Sequence, residues 1–375
     1  MSELRVALVG MADTTPRIAR DPFGTLPDGR AVERVVLRAA DGFEARVITF
    51  GAALQALIVP DANGNCDDIV LGHDNLAGFV AERRFFGASV GRYANRIANA
   101  RFVLDGAEVR LAANDGPNAL HGGFDGFDRR LWDITDVEDG AEPGVTLAYT
   151  SAHGEEGYPG RLEVRITYRL TSPSELSIIF TARTDRPTIV NLTNHSFFNL
   201  DGVATDGGIL DHRLTVAADR FLAIDPAAIP LPGPPRAVAS TPFDFRQPTP
   251  VGARIRSENQ QLMHGKGYDH TFCLDNARRL AFAARLEAPH SGRILELLTD
   301  QPGLQVYSGN YLDGSIRGKR GRLYRQSDAI CLEPHIWPNA PNRSDFPSPR
   351  LAPDEVYRHH TIYRFPRARG DASRP

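Results

Sequence analysis

From Ala31 onward the chain is written in short stretches of alternating apolar and polar residues, each closed by turn residues. VERVVLRAADGFEARVITF (32–50) sets the pattern, and FVLDGAEVRLA (102–112), GRLEVRITYRLTSPSELSIIFTARTD (160–185) and RLAFAARLEAPHSGRILELLTD (279–300) repeat it. Side chains of a strand point alternately to its two faces, so this period of two describes strands with one face buried. Asp41–Gly42 and Asn63–Gly64 supply the left-handed backbone that tight hairpins need. Gly (34) and Pro (27) make up about 16% of the 375 residues, above the average of about 12%. Helical periodicity is confined to about Asp74–Arg84 and Val251–Gln261. The pattern predicts an all-β chain, a large antiparallel β-sandwich with a few short helices.

One stretch breaks the pattern. VNLTNHSFFNL, Val190–Leu200, has the β-branched and aromatic content of a strand but also three Asn, a Thr, a Ser and His195. Strand alternation puts Asn191, Thr193 and His195 on one side and Leu192, Asn194 and Ser196 on the other. An unpaired buried polar group costs about 1–3 kcal/mol. Such a strand therefore lines a polar cleft or carries a dense internal hydrogen-bond network.

Four more stretches concentrate polar chemistry. GRYANRIANARF (91–102) carries Asn95 and Arg96 beside Arg92, a mixture of fixed donors and an acceptor suited to vicinal hydroxyls or, equally, to a charged surface turn. NALHGGFDGFDRRLW (118–132) places His121 before two glycines, with Phe124, Phe127 and Trp132 available as an apolar platform or as core. GYDH (267–270) sets Asp269 between aromatic and imidazole neighbours. In AICLEPHIWPNAPN (329–342), Glu333 follows an apolar run, either at the end of a buried strand where desolvation would raise its pKa toward general-base range or as an edge Glu facing solvent.

Composition narrows the chemistry. A net charge of −3 without a basic tract argues against nucleic acid. Of the 43 basic residues only Lys266 and Lys319 are lysines. No apolar run is long enough to span a membrane. Cys66, Cys273 and Cys331 form no CxxC pair or disulfide framework, which fits a cytoplasmic location, a periplasmic one being the alternative. The opening MSELRVALVGMA reads as a first strand or a frayed extension rather than a secretory leader. The eleven His show no HExxH or HxH spacing, and no Walker, dinucleotide or nucleophile-elbow motif occurs. No metal and no cofactor is expected, and acid–base chemistry is what the inventory leaves.

In order along the chain, GAALQALIVPD, GRYANRIANARF, NALHGGFDGFDRRLW, EEGYPG (155–160), NLTNHSFFNL, GYDHTFCL and LEPHIWPNAPN together resemble the aldose 1-epimerase (mutarotase) family, in its galactose mutarotase branch, from about Phe23 to Phe365. The resemblance implies a β-supersandwich that binds a free aldose in a cleft. It implies Glu333 as general base on the C1 hydroxyl and His195 as the acid that protonates the ring oxygen. It assigns Asn95, Arg96, His121, Asp269 and Gln305 to the sugar hydroxyls, with His121 also able to polarise the ring oxygen. Where the family usually has Thr-Gln and Pro-Asp, this chain has Pro334-His335 and Pro338-Asn339 with Trp337 between, so an altered cleft edge is expected. The expected organisation is an extension over 1–20, one sandwich domain over 21–366 and a disordered tail over 367–375, as a monomer or homodimer.

Three rival readings stay open on sequence. A hexose 6-phosphate epimerase would need phosphate-holding arginines, for which Arg84, Arg92, Arg129 and Arg130 are candidates. A glycosidase could use Asp269 and Glu333 as its two carboxylates. A sugar-binding protein could use the same scaffold without catalysis.

Overall fold

The computed structural model describes residues 17–39, 42–171, 174–276 and 278–366. The strand or extension expected in the first twelve residues and the tail after 366 lie outside them. The first strand, Ile18–Thr25, begins ahead of the boundary expected at residue 21.

Antiparallel sheets dominate. A five-stranded meander runs from Ile18 to Asp68, with Asn63–Gly64 in the turn between Ala53–Pro60 and Cys66–Asp68. A nine-stranded sheet is centred on Leu162–Thr171, Glu175–Thr184, Tyr357–Arg364 and Ile294–Thr299. A six-stranded sheet has the order Phe197–Phe198, Ile330–His335, Gly303–Tyr307, Asp269–Cys273, Arg220–Phe221, Arg236–Ala237. The predicted alternation is plain in the nine-stranded sheet: Leu162, Val164, Ile166 and Tyr168 are buried while Glu163 and Arg165 are exposed. These inward rows join Leu304, Val306, Ile330 and Leu332 of the six-stranded sheet in one core, which makes the sandwich.

The six-stranded sheet is different. Every residue of Gly303–Tyr307 and Ile330–His335 is buried. One face meets the core. The other carries Gln305, Tyr307 and Glu333 into a cleft, so both faces are covered and no simple in–out pattern can exist.

Helices are rare and short. Leu76–Ala81 lies inside the predicted span and is capped by Asn75, whose side chain accepts from the Gly78 N–H. The helix predicted over 251–261 is a correction: a single 3₁₀ turn occupies Val251–Ala253, and the helix is Gln260–Gly265. The Asn259 side chain accepts from the Gln261 N–H, and this cap fixes the start at the end of the predicted window.

Val190–Leu200 is wholly buried but is not one strand. Thr193–Asn194 pairs with Ser89–Val90, Phe197–Phe198 pairs with Ile330–Cys331, and Asn191 bridges to Tyr93. Side-chain amides supply what the broken ladder lacks. Asn191 donates to the carbonyls of Ala94 and Ile336, both at 3.0 Å, and accepts from the Ile336 N–H at 2.8 Å. Asn194 donates to Gly87 O and accepts from the Ser196 hydroxyl, while Asn199 donates to Gly207 O and Asp328 O.

Lys319, one of the two lysines, is buried and gives its ammonium hydrogens to Asp68 Oδ2 and the carbonyls of Gln55 and Val70, joining its loop to the meander. Burial pushes its pKa down against the pull of Asp68.

Asn191→Ala strips the partner from two buried backbone groups, Ala94 O and the Ile336 N–H, while Ile336 O keeps the Nδ1 of His335. With about 1–3 kcal/mol at stake for each, the variant is expected to lose at least about 2 kcal/mol in a denaturant titration; a loss under about 1 kcal/mol would show that the amide is dispensable.

Candidate active site

The floor of the cleft is set by strand register. Gln305 lies opposite Glu333, Tyr307 opposite Cys331, Thr271 opposite Gln305, and Asp269 opposite Tyr307. Directly opposed residues share a face, so one side of three neighbouring strands presents Asp269, Gln305, Tyr307 and Glu333. His195 arrives from the broken segment, held by hydrogen bonds between its backbone and those of Gly87 and Ala88. The loop 91–102 brings Asn95 and Arg96, and the turn at 120–123 brings His121. The resulting cavity holds about 280 Å³, at the small end of ligand pockets. All seven residues singled out in the sequence line it: Asn95, Arg96, His121, His195, Asp269, Gln305 and Glu333.

His195 and Glu333 meet at its floor. Nε2 of His195 is 3.5 Å from Oε2 of Glu333, and both side chains are almost fully buried. The imidazole stacks on Phe197 (centroids 5.0 Å apart) and on Phe85 (5.7 Å), which fixes its plane. Its Nδ1 has no hydrogen-bond partner, so no second carboxylate supports a positive charge on the ring. Burial pushes His195 down to about 3, with a small further push from His335. Burial, then the charge of Asp269, pushes Glu333 well above the ordinary carboxylate range. Both shifts favour one arrangement: a pair that shares a single proton across the 3.5 Å gap.

His121 is oriented by an unambiguous donor. The Asn95 backbone N–H donates to its Nδ1 at 3.2 Å, so the neutral ring carries its proton on Nε2. Burial and neighbouring cationic groups hold its pKa well below the usual imidazole value. The sharp turn that follows requires Gly122 (φ +85°), where a Cβ would fall 1.8 Å from Gly91 O.

The remaining groups interlock. Gln305 Nε2 donates to Asp269 Oδ1 at 2.6 Å, while Gln305 Oε1 accepts from the Thr271 hydroxyl. Arg96 Nε donates to Asp115 Oδ2 at 2.8 Å, and the Asn95 side chain accepts from the Arg96 N–H. Burial opposes the charge of Arg96, but Asp269 and Asp115 outweigh it and raise its pKa. Burial raises Asp269 in turn, against the pull of Arg96. Together they offer acceptors and fixed donors around the cavity, the set that recognises several hydroxyls.

The apolar wall was not legible in the sequence. Phe85, Phe197, Tyr307 and Tyr311 line the cleft. Of the aromatics proposed as a platform, Phe127 and Trp132 are core and Phe124 is exposed outside the cavity. The altered edge is also a correction: Pro334, His335, Trp337 and Asn339 do not line the cavity. Asn339 instead donates its N–H to Arg96 O and accepts from the Ala98 N–H, and the Tyr93 hydroxyl donates to Trp337 O. These residues grip the back of the loop that presents Asn95 and Arg96.

Of the four arginines considered for a phosphate, only Arg84 lines the cavity. Arg92 is buried with its donors spent on Ser151 and the carbonyls of Ser151, Ala152, Pro159 and Gly160. Arg129 pairs with Asp125 and Arg130 with Glu155.

Residues 33–364 match the aldose 1-epimerase family. The chain is 44% identical to galactose mutarotase of Rattus norvegicus over 349 residues, covering 93% of this chain and 98% of that protein. It is 36% identical to aldose 1-epimerase of Escherichia coli over 359 residues, covering 95% and 99%. The crystal structure of galactose 1-epimerase from Lactobacillus acidophilus superposes with a TM-score of 0.82 at 26% identity, covering 94% of this chain and 99% of that one.

A buried group whose pKa is raised on folding stabilises the fold fully only below its unfolded value, and that contribution is lost as pH rises through the folded value. Glu333 is such a group. Glu333→Gln is therefore expected to melt above wild type on the alkaline side, with the difference shrinking toward acid. Thermal melts across pH test this; a gap that widens toward acid would contradict it.

Proposed function

The chain belongs to the aldose 1-epimerase family, and on that premise we propose that it interconverts the α and β anomers of a free aldose such as galactose or glucose, with Glu333 as general base and His195 as general acid. The observation that carries this reading is the 3.5 Å separation of His195 Nε2 and Glu333 Oε2 in a sugar-sized cavity. The two oxygens that change protonation in a hemiacetal, the C1 hydroxyl and the ring oxygen, are bonded to the same carbon. An acid and a base that serve them must be neighbours, and these are.

At rest both shifts hold the shared proton on Glu333; once it crosses to His195 and leaves the charge on Glu333, Glu333 takes the C1 hydroxyl proton while His195 protonates the ring oxygen. The C1–ring-oxygen bond breaks and the free aldehyde forms. Rotation about C1–C2 presents the opposite carbonyl face. On closing, His195 retakes the proton from the attacking hydroxyl and Glu333 returns one to the carbonyl oxygen, so the pair ends as it began. His121, with its proton on Nε2, is placed to donate toward the ring oxygen. Asp269, Gln305, Arg96 and Asn95 hold the remaining hydroxyls, and Phe85, Tyr307 and Tyr311 cover the C–H faces.

Polarimetry on freshly dissolved α-D-galactose tests the assignment. Because positioned acid–base groups each contribute about 10²–10⁴-fold, Glu333→Gln and His195→Asn should each fall by at least about 100-fold while staying folded. Either variant retaining near-wild-type turnover would sink its assigned role. The wild-type rate should also fall on the alkaline side as the pair loses its shared proton; a rate that stays level there would refute the one-proton pair.

A further inference from the structure

One cluster joins the reactive pair to a residue that the proposed chemistry leaves unused. The Sγ of Cys331, the Nε2 or Nδ1 of His195 and a carboxylate oxygen of Glu333 all lie within 4.8 Å of one another. Cys331 and Glu333 are two apart on the same strand and share its cleft-side face, with Cys331 sealed beneath Phe197 and Tyr307. Among the described residues this is the one grouping of three such ligands.

We propose that His195, Cys331 and Glu333 form a binding site for a borderline-soft divalent cation such as Zn²⁺, and that its occupation closes the cleft to sugar. For three atoms no more than 4.8 Å apart, a point exists within about 2.8 Å of each. Shifts of roughly 0.5–0.8 Å then reach the ~2.0–2.3 Å of zinc bonds to nitrogen, oxygen and sulfur. Nitrogen, thiolate and carboxylate together suit Zn²⁺ and Cd²⁺ and disfavour Mg²⁺ and Ca²⁺, which prefer oxygen alone. Binding sends two protons to solvent, the thiol proton of Cys331 and the one shared by His195 and Glu333, and the thiolate and carboxylate then balance the double charge of the ion. The fourth position of a tetrahedral ion would face the cavity that His195 and Glu333 line. With the imidazole nitrogen and the carboxylate engaged, neither is free to exchange protons with a sugar. The site escapes the spacing rules for metal motifs because a distant segment supplies the histidine and the other two ligands alternate along a strand.

The binding stands independently of the mutarotase reading; only the inhibition rests on it. The test uses chelator-stripped full chain carrying Cys66→Ser, which removes the exposed thiol. Zn²⁺ is titrated by calorimetry, Cd²⁺ by the ultraviolet thiolate-to-metal absorption, and galactose mutarotation by polarimetry. The parent should bind one Zn²⁺ per chain, show the Cd²⁺–thiolate band and lose activity as Zn²⁺ binds. Cys331→Ala and Cys331→Ser should each bind Zn²⁺ about tenfold more weakly or worse, lose the band and keep turning over at Zn²⁺ levels that silence the parent. If either cysteine variant fails to fold, the other serves, and His195→Asn should lose Zn²⁺ affinity with the thiol still present. Equal Zn²⁺ affinity with and without Cys331, or no thiolate band in the parent, would overturn the site. Zn²⁺ binding with the band in a parent inactive on every aldose would uphold the site and overturn the function.

Discussion

A single amide holds together the parts of the chain that make the cleft. Asn191 sits in the broken segment that leads to His195, and its side chain bonds to Ala94 in the loop of Asn95 and Arg96 and to Ile336 beyond Glu333. The segments that carry His195, Glu333 and the Asn95–Arg96 loop thus meet at one residue. Hydrogen bonds to buried backbone groups are worth most where water cannot replace them, and Asn191 is fully buried. From the far side, Asn339 and Trp337 take up the carbonyl of Arg96 and the hydroxyl of Tyr93. The cleft is therefore braced from behind by polar contacts.

That rigidity serves groups the fold would otherwise reject. An ionisable pair in a nearly dry floor is costly unless it is matched. Here the cost is shared: Glu333 is pushed up, His195 is pushed down, and one proton between them keeps the pair close to neutral overall. The aromatic rings of Phe85 and Phe197 hold the imidazole plane without supplying a charge. The same desolvation that weakens the fold at this point raises the proton affinity of the carboxylate.

Particular residues show where reading the sequence succeeded and where it stopped. The alternation of Leu162–Thr171 appears in the nine-stranded sheet as predicted, because a strand with one wet face must alternate. Val190–Leu200 was visible as anomalous, and both explanations offered for it hold: it lines a polar cleft through His195 and carries an internal network through its asparagines. The helix over 251–261 failed because a local cap at Asn259 overrode periodicity. Phe127 and Trp132 could not be told from a sugar platform, since core and cleft use the same aromatics; Phe85, Tyr307 and Tyr311 carry no local mark at all.

By itself the sequence determined the class of fold, through the period of its apolar residues, and the residues able to do acid–base chemistry, through types that are expensive to bury. The tertiary structure alone decided which of them meet. The 3.5 Å contact of His195 with Glu333 joins positions 138 residues apart, and its distance depends on strand register and on the Asn191 bridge, neither of which is encoded in any local pattern. The nearness of Cys331 to that pair was settled the same way. Local sequence fixes what a side chain can do; only packing fixes what it can reach.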